Sequence, residues 1–579
     1  MTAPASPRRR AAARWLRAPQ PDAAVVRALQ ASLNLPAALC ALLAARGMQD
    51  DDEARRYLRP QYEHLHPPGA LKDMDVAVAR LQRAITDGEK IFVHGDYDVD
   101  GMCSTTLMTR ALRALGGDVT PFVPDRVSDG YDLGPAGVAA AFAAKASVVL
   151  TCDCGTSAVA SVQELQQGGV DVIISDHHLP GGPLPPAFAV LNPRRPDDTS
   201  PDKDLAAVGV AFKLALALTQ AMGGNENVVL NMLDLVALAT VADVAALRGE
   251  NRVFVRRGLP LMRESRSAGL RALVRAAGLD AKEITAGRVG FILAPRLNAL
   301  GRIGRAIEGV QLLLSDREEE ANPLARKCEE LNRERQELDR RILDEALRGA
   351  GRFDLDDTWG LVLHGRQWHP GVIGIVASRV VEQTGRPAVL IAVQDGIGKG
   401  SGRSIPAFDL HAALQDCHDL LIKHGGHKAA AGLTIEERHL EAFVERFNAV
   451  ARARLTADDL IPELRVDLEL PIDDATDELE KLLRHIEPCG IGNPGPVFSA
   501  RGVQIVGGPD RIGADGVKVR IATARGPMEA VGWGLAHRAT ELAAARRGTV
   551  EIAYKLDRNE YRNQSTLQAQ ILDFRAETG

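Results

Sequence analysis

The chain has 579 residues, a hydrophobic fraction of 45% and a charged fraction of 25%, which are ordinary for a globular protein of about three or four domains. No apolar run reaches the ~18 residues that a membrane span needs, so a membrane protein is excluded. The formal net charge of −6 argues against a protein that coats nucleic acid nonspecifically.

The cysteines and the first residues of the chain indicate the cellular compartment in which the protein is expected. Seven cysteines without repeated spacing are typical of a reducing environment, so we expect a cytosolic protein. The first residues, MTAPASPRRRAAARWLRAP, contain a basic stretch without an apolar segment behind it, which argues against a secretory signal. A disordered basic tail is the simpler interpretation of this stretch, and an arginine-rich transit peptide is the alternative.

The first half of the chain predicts a parallel α/β domain. After a helical segment over residues 1–70, short apolar runs alternate with helical patterns. The expected strands are Lys90–Val93, Asp118–Val123, Ser147–Thr151 and Asp171–Ser175, and the helices between them include Ser104–Leu115 and Pro135–Ala144. This alternation predicts a doubly wound parallel sheet in a domain of residues 71–260.

Three further regions follow. Residues 261–352 are expected to be a helical linker that includes a long amphipathic helix over Asn322–Leu347, with Asn322 as N-cap and Pro323 at the first helical position. Residues 353–455 predict a second α/β domain with a strand at GLVLH and a helix over Gly371–Gln383. In residues 456–579, alternating runs such as Val517, Val519 and Ile521 predict a small antiparallel barrel.

Acidic and histidine side chains follow three of the expected strands. Asp96 and Asp98 follow the first strand, Asp153 follows the third, and the triplet Asp176, His177, His178 follows the fourth. Ligands of open parallel sheets collect at the carboxyl ends of the strands, so we expect these side chains to meet. Asp243, at the end of the apolar helix LVALATVADVA, is a further candidate for the same point.

This set of side chains predicts a metal site. Carboxylate oxygens and imidazole nitrogens suit Mn²⁺ or Mg²⁺, whereas a thiolate-rich set would indicate zinc. Carboxylates gathered within a few ångströms repel one another unless cations neutralise them. Two ions ~3.5–4 Å apart can activate a water and stabilise a leaving oxygen in an attack on phosphorus. The expected ligands are Asp96, Asp98, Asp153, His177 and Asp243, and the expected chemistry is phosphate-ester hydrolysis.

Each segment alone also has a purely structural explanation. A DxD after a strand is commonly a turn, Asp153 could cap the following helix, and Asp243 could cap a helix end. Cys152 and Cys154 flank Asp153 but point to the opposite face of a strand, so we interpret them as core residues. Four such segments at equivalent ends of one sheet favour the metal site.

The motifs DYDVDG, TCDCGT, SDHH and VADV, in this order, resemble those of the DHH phosphoesterase superfamily. Within it, APRLNALGRIG, WHPGVIGIVASR, KGSGRSI, GGHKAAAGL and EPCGIGNPGPVF are similar to the RecJ exonuclease family, from about Leu71 to the C-terminus. The resemblance implies a DHH domain, a DHHA1 domain and a C-terminal OB fold. It also implies metal-dependent 5′-to-3′ hydrolysis of single-stranded DNA in recombinational and other DNA repair.

Residue roles follow from the same resemblance. It implies that Asp98, Asp153, His177 and Asp243 hold one ion, that Asp96 and Asp153 hold the second, and that His178 faces the scissile phosphate. Smaller relatives carry a histidine four residues before the first aspartate of the pair. Here that position is Phe92, and the neighbouring histidine is His94.

Candidate nucleic-acid contacts lie in several loops. The run KGSGRSI places Ser401 and Arg403 after a flexible glycine stretch that could surround a phosphate. The run GGHKAAAG is expected to lead into a helix N-terminus carrying His427 and Lys428. The remaining candidates are Arg126 and Tyr131 after the second strand, Arg302, with Arg296 and Arg305 as background, and Tyr554 and Tyr561, which could stack bases.

Two other functions stay open at this point. One is a DHH phosphodiesterase of short oligonucleotides or cyclic dinucleotides; the 124 residues after Leu455, of a size typical for a nucleic-acid-binding module, favour a polymer substrate. The other is a non-catalytic scaffold that binds single strands, whose signature would be lost metal ligands. The resemblance implies a monomer in the bacterial cytosol and nucleoid, working with a RecQ-type helicase and a single-strand-binding protein.

Overall fold

The computed structural model describes residues 13–126, 128–351, 353–561 and 564–577, without the side chains of residues 560, 561 and 564. Residues 1–12, with most of the basic N-terminal stretch, lie outside the described part. Contacts divide the chain into two units. The central unit comprises residues 52–333 and 485–495, and the flanking unit comprises residues 1–51, 334–484 and 496–579.

The described part of the N-terminal segment belongs to the flanking unit and begins with a strand. Its elements are β1 (Arg14–Arg17), α1 (Ala23–Leu33) and α2 (Ala37–Ala45). β1 pairs in parallel with Glu463–Val466, and Trp15 is buried there, donating from its ring nitrogen to Asp573 at 2.7 Å. The predicted helical segment over residues 1–70 does contain helices such as α1 and α2, but the strand β1 was not predicted, because its partners lie more than 440 residues away.

The central unit is built on a parallel sheet, as predicted. Its elements in chain order are α3 (Asp51–Leu58), α4 (Met74–Thr86), β2 (Lys90–Gly95), α5 (Val99–Ala114), β3 (Asp118–Phe122), α6 (Pro135–Ala143), β4 (Val148–Cys152), α7 (Val159–Gln167), β5 (Asp171–Ser175), β6 (Ala189–Leu191) and α8 (Ala207–Ala221). All neighbouring strands are parallel, in the order β3-β2-β4-β5-β6. The chain changes direction across the sheet at β2, between β3 and β4, which is where such sheets bind ligands.

Helices complete the central unit. They are α9 (Asn227–Leu230), α10 (Leu233–Ala242), α11 (Gly249–Leu261), α12 (Ala268–Ala276), α13 (Ala286–Arg288), a π-helical turn (Val289–Leu293), α14 (Ala294–Ile303) and α15 (Ile307–Leu314). α8 and α10 are buried on nearly every side. Their continuous apolar sequence fits this central position, since a helix that is apolar all round has no face for solvent.

The long helix α16 spans Glu318–Ala350. It begins before the predicted N-cap Asn322, so that boundary is wrong: the three glutamates Glu318, Glu319 and Glu320 occupy the first turn, where the helix dipole favours negative charge. Cys328 is buried in the core of the central unit, as the predicted apolar face requires.

The flanking unit contains a second, mixed α/β layer. Its elements are β7 (Leu361–Gly365), α17 (Ile373–Thr384), β8 (Ala388–Gln394), β9 (Ile397–Arg403), α18 (Leu410–Gln415), β10 (Lys423–Gly426), β11 (Ala430–Glu436) and α19 (Leu440–Arg454). The strand order is β10-β11-β9-β8-β7, with β7 and β8 parallel and the other pairs antiparallel. Phe443 and Phe447 of α19 are buried in the hydrophobic core of this layer.

The C-terminal region forms a larger sheet. Its elements are β12 (Glu463–Val466), β13 (Leu468–Glu469), α20 (Asp477–Leu483), β14 (Phe498–Val503), β15 (Ile505–Ile512), β16 (Gly516–Ile521), β17 (Met528–Gly532), α21 (Ala539–Ala545), β18 (Val550–Tyr561) and β19 (Gln564–Ala576). The order β13-β14-β18-β19-β17-β16-β15 is antiparallel except at β13/β14 and β17/β19. None of the helices in the described part is long and apolar enough to cross a membrane.

Candidate metal centre

The predicted metal ligands meet at the carboxyl ends of β2, β4 and β5. Asp96 and Asp98 follow β2, Asp153 follows β4, and His177 follows β5. Carboxylate oxygens of Asp96, Asp98 and Asp153 lie within 4.8 Å of one another. The neighbouring strands end side by side because the sheet is parallel, so residues far apart in sequence share one site.

Asp98 and Asp100 fix the start of α5. Asp98 is its N-cap and accepts hydrogen bonds from the backbone N–H groups of Asp100 and Gly101 at 2.9 and 3.1 Å. Asp100 is buried and accepts from the N–H groups of Ala207 and Val208 at 2.8 and 2.9 Å. Asp100 thus ties α5 to the N-terminus of α8, a role that sequence reasoning missed because the partners are a hundred residues away.

Asp153 has a backbone conformation that few residues adopt. Its φ is +67°, in the left-handed region, and its backbone N–H donates to the Ser175 carbonyl at 3.0 Å. Helix α7 begins only at Val159, after the N-cap residue Ala158, so Asp153 does not cap it. Asp153 Oδ1 lies 3.2 Å from His177 Nε2, and both atoms are buried without a hydrogen-bond partner among the described residues.

Asp176 holds the backbone of His177 and the ring of His178. Its Oδ1 accepts from the backbone N–H of His177 at 2.7 Å and lies 2.8 Å from the ring Nδ1 of His178, while its Oδ2 accepts from the N–H of Thr156. Burial alone would lower the pKa of His178, but the hydrogen bond to Asp176 and the nearby carboxylates raise it to about 9. Burial and the His178 charge lower the pKa of His177 to about 4, so its ring is neutral and able to ligate a metal.

Asp243 joins the centre from the C-terminal end of α10. It is the C-cap residue of that helix, and its Oδ2 lies 3.9 Å from His177 Nδ1. His177 and Asp243 form a group with Asp100 whose atoms lie within 4.8 Å of one another, and His177 and His178 form another with Asp153. The structure therefore brings all five predicted metal ligands, and His178, into one continuous cluster.

The electrostatics of this cluster fit divalent cations. Burial and the neighbouring carboxylates raise the pKa values of Asp96, Asp153 and Asp243 well above their ordinary value. Asp96 Oδ1 is a further buried oxygen without a hydrogen-bond partner in the described part of the chain. Buried acceptors that repel one another and lack donors are the arrangement that a cation stabilises.

His94 lies beside the cluster and belongs to none of the three groups found among the described residues. It is fully buried on β2, where its Nδ1 lies 3.5 Å from the Cys154 sulfur and its ring packs against Phe122. Phe92 is also buried in the core of this face. Cys152 and Cys154 are both buried, in line with their interpretation as core residues.

An aromatic row borders the cluster. The Tyr131 hydroxyl lies 3.1 Å from His178 Nε2, its ring meets Tyr97 edge to face at 6.1 Å, and Arg126 lies 4.8 Å above the Tyr97 ring. Tyr131 is 49% exposed. Arg126 and Tyr131 thus lie near the candidate metal site. Tyr97, the second residue of DYDVDG, was not predicted as a site residue, although its position between two aspartates could have indicated it.

The other arginines considered as DNA contacts in the central unit have different surroundings. Arg296 is engaged by Glu329 at 2.6 Å and by the Ile292 carbonyl, so it is a structural residue. Arg302 is half-buried on α14, whose Gly301 packs directly against the Tyr97 backbone, which places Arg302 beside the aromatic row. Arg305 is exposed beyond the end of that helix.

The remaining predicted contacts lie in the flanking unit. Ser401 and Arg403 are on β9 and not in a flexible loop, so that expectation is wrong; the Arg403 guanidinium donates to Ser401 Oγ at 3.2 Å. His427 and Lys428 lie in the turn between β10 and β11 and not at a helix N-terminus, which corrects the second expectation. The turn adjoins the end of β9, because Ala430 pairs with Arg403.

Helix α17 adds a feature that the sequence did not reveal. A Cβ atom on Gly374, in the first turn of α17, would lie 2.9 Å from Ser401 Oγ and 3.3 Å from the Arg403 guanidinium. The hydroxyl, the guanidinium and the first turn of the helix thus lie together. This arrangement suits an anion.

The structure tests the predicted base stacking for one of the two tyrosines of the C-terminal sheet. Tyr554 is fully buried and its hydroxyl donates to the Leu470 carbonyl at 3.0 Å, so it packs in the core and the base-stacking hypothesis is wrong for this residue. The side chain of Tyr561 lies outside the described residues.

Three family models match the sequence. "DHH family, N-terminal domain" matches residues 90–240, "DHHA1 domain" matches residues 358–453, and "RecJ OB domain" matches residues 466–573. The first contains the parallel sheet and four of the five expected metal ligands.

Curated relatives and solved structures agree with these matches. The chain is 36% identical to the single-stranded-DNA-specific exonuclease RecJ of Bacillus subtilis over 558 residues, covering 96% of this chain and 70% of that protein. It is 36% identical to the RecJ of Escherichia coli K12, covering 92% and 95%. Structures of Thermus thermophilus RecJ with Mn²⁺ (TM-score 0.83, 34% identity, 98% of this chain and 80% of that one) and with Mg²⁺ (0.77, 31%, 98% and 79%) share the fold. The chain therefore belongs to the RecJ family.

Proposed function

We propose that this protein is a metal-dependent exonuclease that hydrolyses single-stranded DNA from the 5′ end. The observation that carries the proposal is the convergence of Asp96, Asp98, Asp153, His177 and Asp243 at one end of the parallel sheet. The substrate follows from family membership, since the curated relatives are single-stranded-DNA-specific exonucleases.

Mn²⁺ or Mg²⁺ is the proposed cofactor, with two ions held by these five residues. Thermus thermophilus RecJ binds both metals, and the donor set here is oxygen-rich with one neutral imidazole. When bound, such ions activate a water and neutralise charge on the phosphate. Asp153 belongs both to the group with Asp96 and Asp98 and to the group with the two histidines, so its carboxylate would contribute to holding both ions.

His178 is proposed to act on the scissile phosphate. Its ring is held by Asp176, whose hydrogen bond raises the pKa of His178 and so favours the protonated ring, which can donate a hydrogen bond to a phosphate oxygen or stabilise charge there. Tyr131, Tyr97 and Arg126 extend from His178 as two rings and a guanidinium, which suit base stacking and phosphate contact. Arg302 would add a second cation beside them.

The flanking unit is proposed to hold another phosphate. Ser401, Arg403 and the first turn of α17 present a hydroxyl, a charge and backbone N–H groups, and the exposed His427 and Lys428 lie on the adjoining turn. We assign residues 71–260 as the DHH domain, 261–352 as a helical linker and 353–455 as the DHHA1 domain. Residues 456–579 are the OB-like domain, which would bind the strand, and residues 1–70 precede all four.

The cellular setting follows from the same assignment. Seven described cysteines are free, as a reducing cytoplasm permits. We propose that the enzyme works as a monomer in the bacterial cytoplasm, at the nucleoid, in DNA repair. A RecQ-type helicase and a single-strand-binding protein would supply and organise its substrate.

One assay tests the function. Purified protein with Mn²⁺ or Mg²⁺ is incubated with a 5′-labelled single strand, a 3′-labelled single strand, a blunt duplex and a dinucleotide. We expect mononucleotide to be released first from the 5′-labelled end of the single strand, with the duplex resistant. Preferred cleavage of the dinucleotide would replace the proposal with an oligonucleotide phosphodiesterase, and binding without cleavage would replace it with a single-strand-binding scaffold.

A further inference from the structure

A short segment from the C-terminal part of the sequence packs into the central unit. Residues 485–493, here called the 485–493 loop, read His-Ile-Glu-Pro-Cys-Gly-Ile-Gly-Asn and lie between α20 and β14. They fall inside the region that matches the OB-domain model, yet their contacts group them with the unit that carries the metal cluster. The proposed hydrolysis uses none of these residues.

Arg252 of α11 holds this loop. Its side chain is buried, and its guanidinium donates to the backbone carbonyls of Ile486 at 2.9 Å, Glu487 at 3.1 Å and His485 at 3.2 Å, with Pro488 at 3.4 Å. Burying a guanidinium is costly unless its donors are satisfied, and here the loop carbonyls satisfy them. The loop conformation and the Arg252 position therefore depend on each other.

Asn493 closes the loop from the opposite end. Its amide nitrogen donates to the carbonyls of Pro488 at 2.7 Å and Ile486 at 2.9 Å, and its amide oxygen accepts from the Tyr57 hydroxyl at 2.6 Å. The Tyr57 ring lies 4.1 Å below the Arg252 guanidinium, and the Tyr57 carbonyl accepts from Arg252 Nε at 2.9 Å. One network thus fixes both ends of the loop to the central unit.

The other side of the loop contacts the turn that follows Asp243. The Leu247 N–H donates to the Ile491 carbonyl at 2.7 Å. A Cβ on Gly492 would lie 2.9 Å from the Ala246 Cβ, so the two backbones are in close approach. Residues 246 and 247 are therefore positioned by the loop, and they are three and four residues from a predicted metal ligand.

The turn itself needs such support. Val244, the residue after Asp243, has φ +62°, a left-handed conformation that is costly for a β-branched residue. Val244 is 61% exposed, so its own side chain has little packing to hold it there. Its N–H bonds the Val241 carbonyl and the Ala245 N–H bonds the Thr240 carbonyl, which ends α10 with Asp243 directed toward His177.

We propose that Arg252 and Asn493 are positioning residues for the metal centre, acting through the 485–493 loop to hold the turn that presents Asp243. This inference rests on the proposed function for the identity of the metal ligands. It makes a segment of the OB-domain region part of the metal-binding structure of the DHH domain. Loss of the hydrogen bonds that Arg252 and Asn493 make to the loop would weaken metal binding, although no metal ligand is changed.

The test measures Mn²⁺ affinity by calorimetry on the full chain, independently of hydrolysis. We expect Arg252→Met and Asn493→Ala to raise the Mn²⁺ dissociation constant at least tenfold, and Arg252→Lys to raise it less. In the nuclease assay, saturating Mn²⁺ should restore most of the kcat of these variants, with their KM for DNA little changed.

The matched control is Arg80→Met. Arg80 is also a buried arginine of this unit, and it pairs with Asp171 at the end of β5 opposite the metal ligands. Arg80→Met should lower Tm as much as the Arg252 variants do, but leave the Mn²⁺ dissociation constant within twofold of the wild-type value.

Unchanged Mn²⁺ affinity in folded Arg252 and Asn493 variants, or an equal loss in the Arg80 control, would overturn the inference. If the Arg252 variants do not fold, Gly492→Ala tests it instead, because its Cβ would press on Ala246 and displace the turn; unchanged Mn²⁺ affinity there would also overturn it. Wild-type protein that binds Mn²⁺ but leaves single-stranded DNA intact would contradict only the proposed function.

Discussion

The ring Nδ1 of His178 lies 2.8 Å from Oδ1 of Asp176, and the same oxygen accepts the backbone N–H of His177 at 2.7 Å. One buried carboxylate therefore holds the backbone of His177 and the ring of His178. The pKa of Asp176 is below its ordinary value, because the His178 hydrogen bond and charge outweigh the opposing effect of burial. Asp176 is a positioning residue, and its contribution can be separated from metal binding.

Asp176→Asn is expected to lower kcat about 10- to 100-fold while the Mn²⁺ dissociation constant changes less. The amide replaces one acceptor oxygen by a donor, so one of the N–H bonds to His177, His178 or Thr156 is lost and the His178 ring is no longer held as a cation. Steady-state kinetics and Mn²⁺ calorimetry on the same preparation check this. Asp132→Asn serves as control, since Asp132 accepts backbone N–H groups nearby without touching either histidine. An unchanged kcat in Asp176→Asn would remove this role.

Asp98→Ala is expected to lower hydrolysis by roughly 10³-fold or more, with single-strand binding retained. Asp98 belongs to the Asp96–Asp98–Asp153 group, whereas the candidate phosphate contacts are other side chains. A chelator should have the same effect on the wild type, reversed by added Mn²⁺. Asp118→Ala is the control, because Asp118 starts β3 at the opposite end of the sheet. Near-normal hydrolysis by Asp98→Ala would contradict the metal assignment.

Arg403→Ala is expected to weaken single-strand binding and to reduce the magnitude of the salt slope, d log K/d log[salt], by about 0.7, the value for one phosphate contact on a single strand. Fluorescence anisotropy at several salt concentrations measures both quantities. Lys399→Ala removes one positive charge from the far end of the same strand, β9, and should leave the slope unchanged. Equal slopes for Arg403→Ala and the wild type would exclude Arg403 from the DNA contact.

The parallel strands were predictable because their signals are local. Asp171–Ser175 has the bounds that its apolar run predicts, and the acids fall at the strand ends in both the sequence and the structure. Asp100 shows the limit of this reasoning. It lies in the same DYDVDG motif as Asp98, but only the fold reveals that its carboxylate accepts the first N–H groups of α8.

Strand β9 shows a second limit. The run KGSGR predicts a flexible loop from its glycines, but in the sheet each glycine makes room for an apolar neighbour. A Cβ on Gly400 would lie 2.8 Å from Leu433, and one on Gly402 would lie 2.8 Å from Leu410. Glycine here serves close packing against Leu433 of β11 and Leu410 of α18, and the strand's own sequence does not show these neighbours.

Asp234 gives a pH-dependent prediction away from the metal ligands. It is buried on α10, accepts from Ser265 Oγ at 2.5 Å and from the Leu235 N–H at 2.7 Å, and burial raises its pKa to about 6. The folded pKa exceeds the unfolded value of about 3.9, so the stability that protonated Asp234 provides is complete below pH ~4 and is lost as pH rises through 6. Asp234→Asn cannot ionise and escapes this loss. We expect the variant to gain about 2 kcal/mol relative to wild type between pH 4.5 and pH 8, seen as a Tm difference that grows with pH. Asp280→Asn, at an exposed position, should show no such trend, and a pH-independent Tm difference for Asp234→Asn would contradict the assignment.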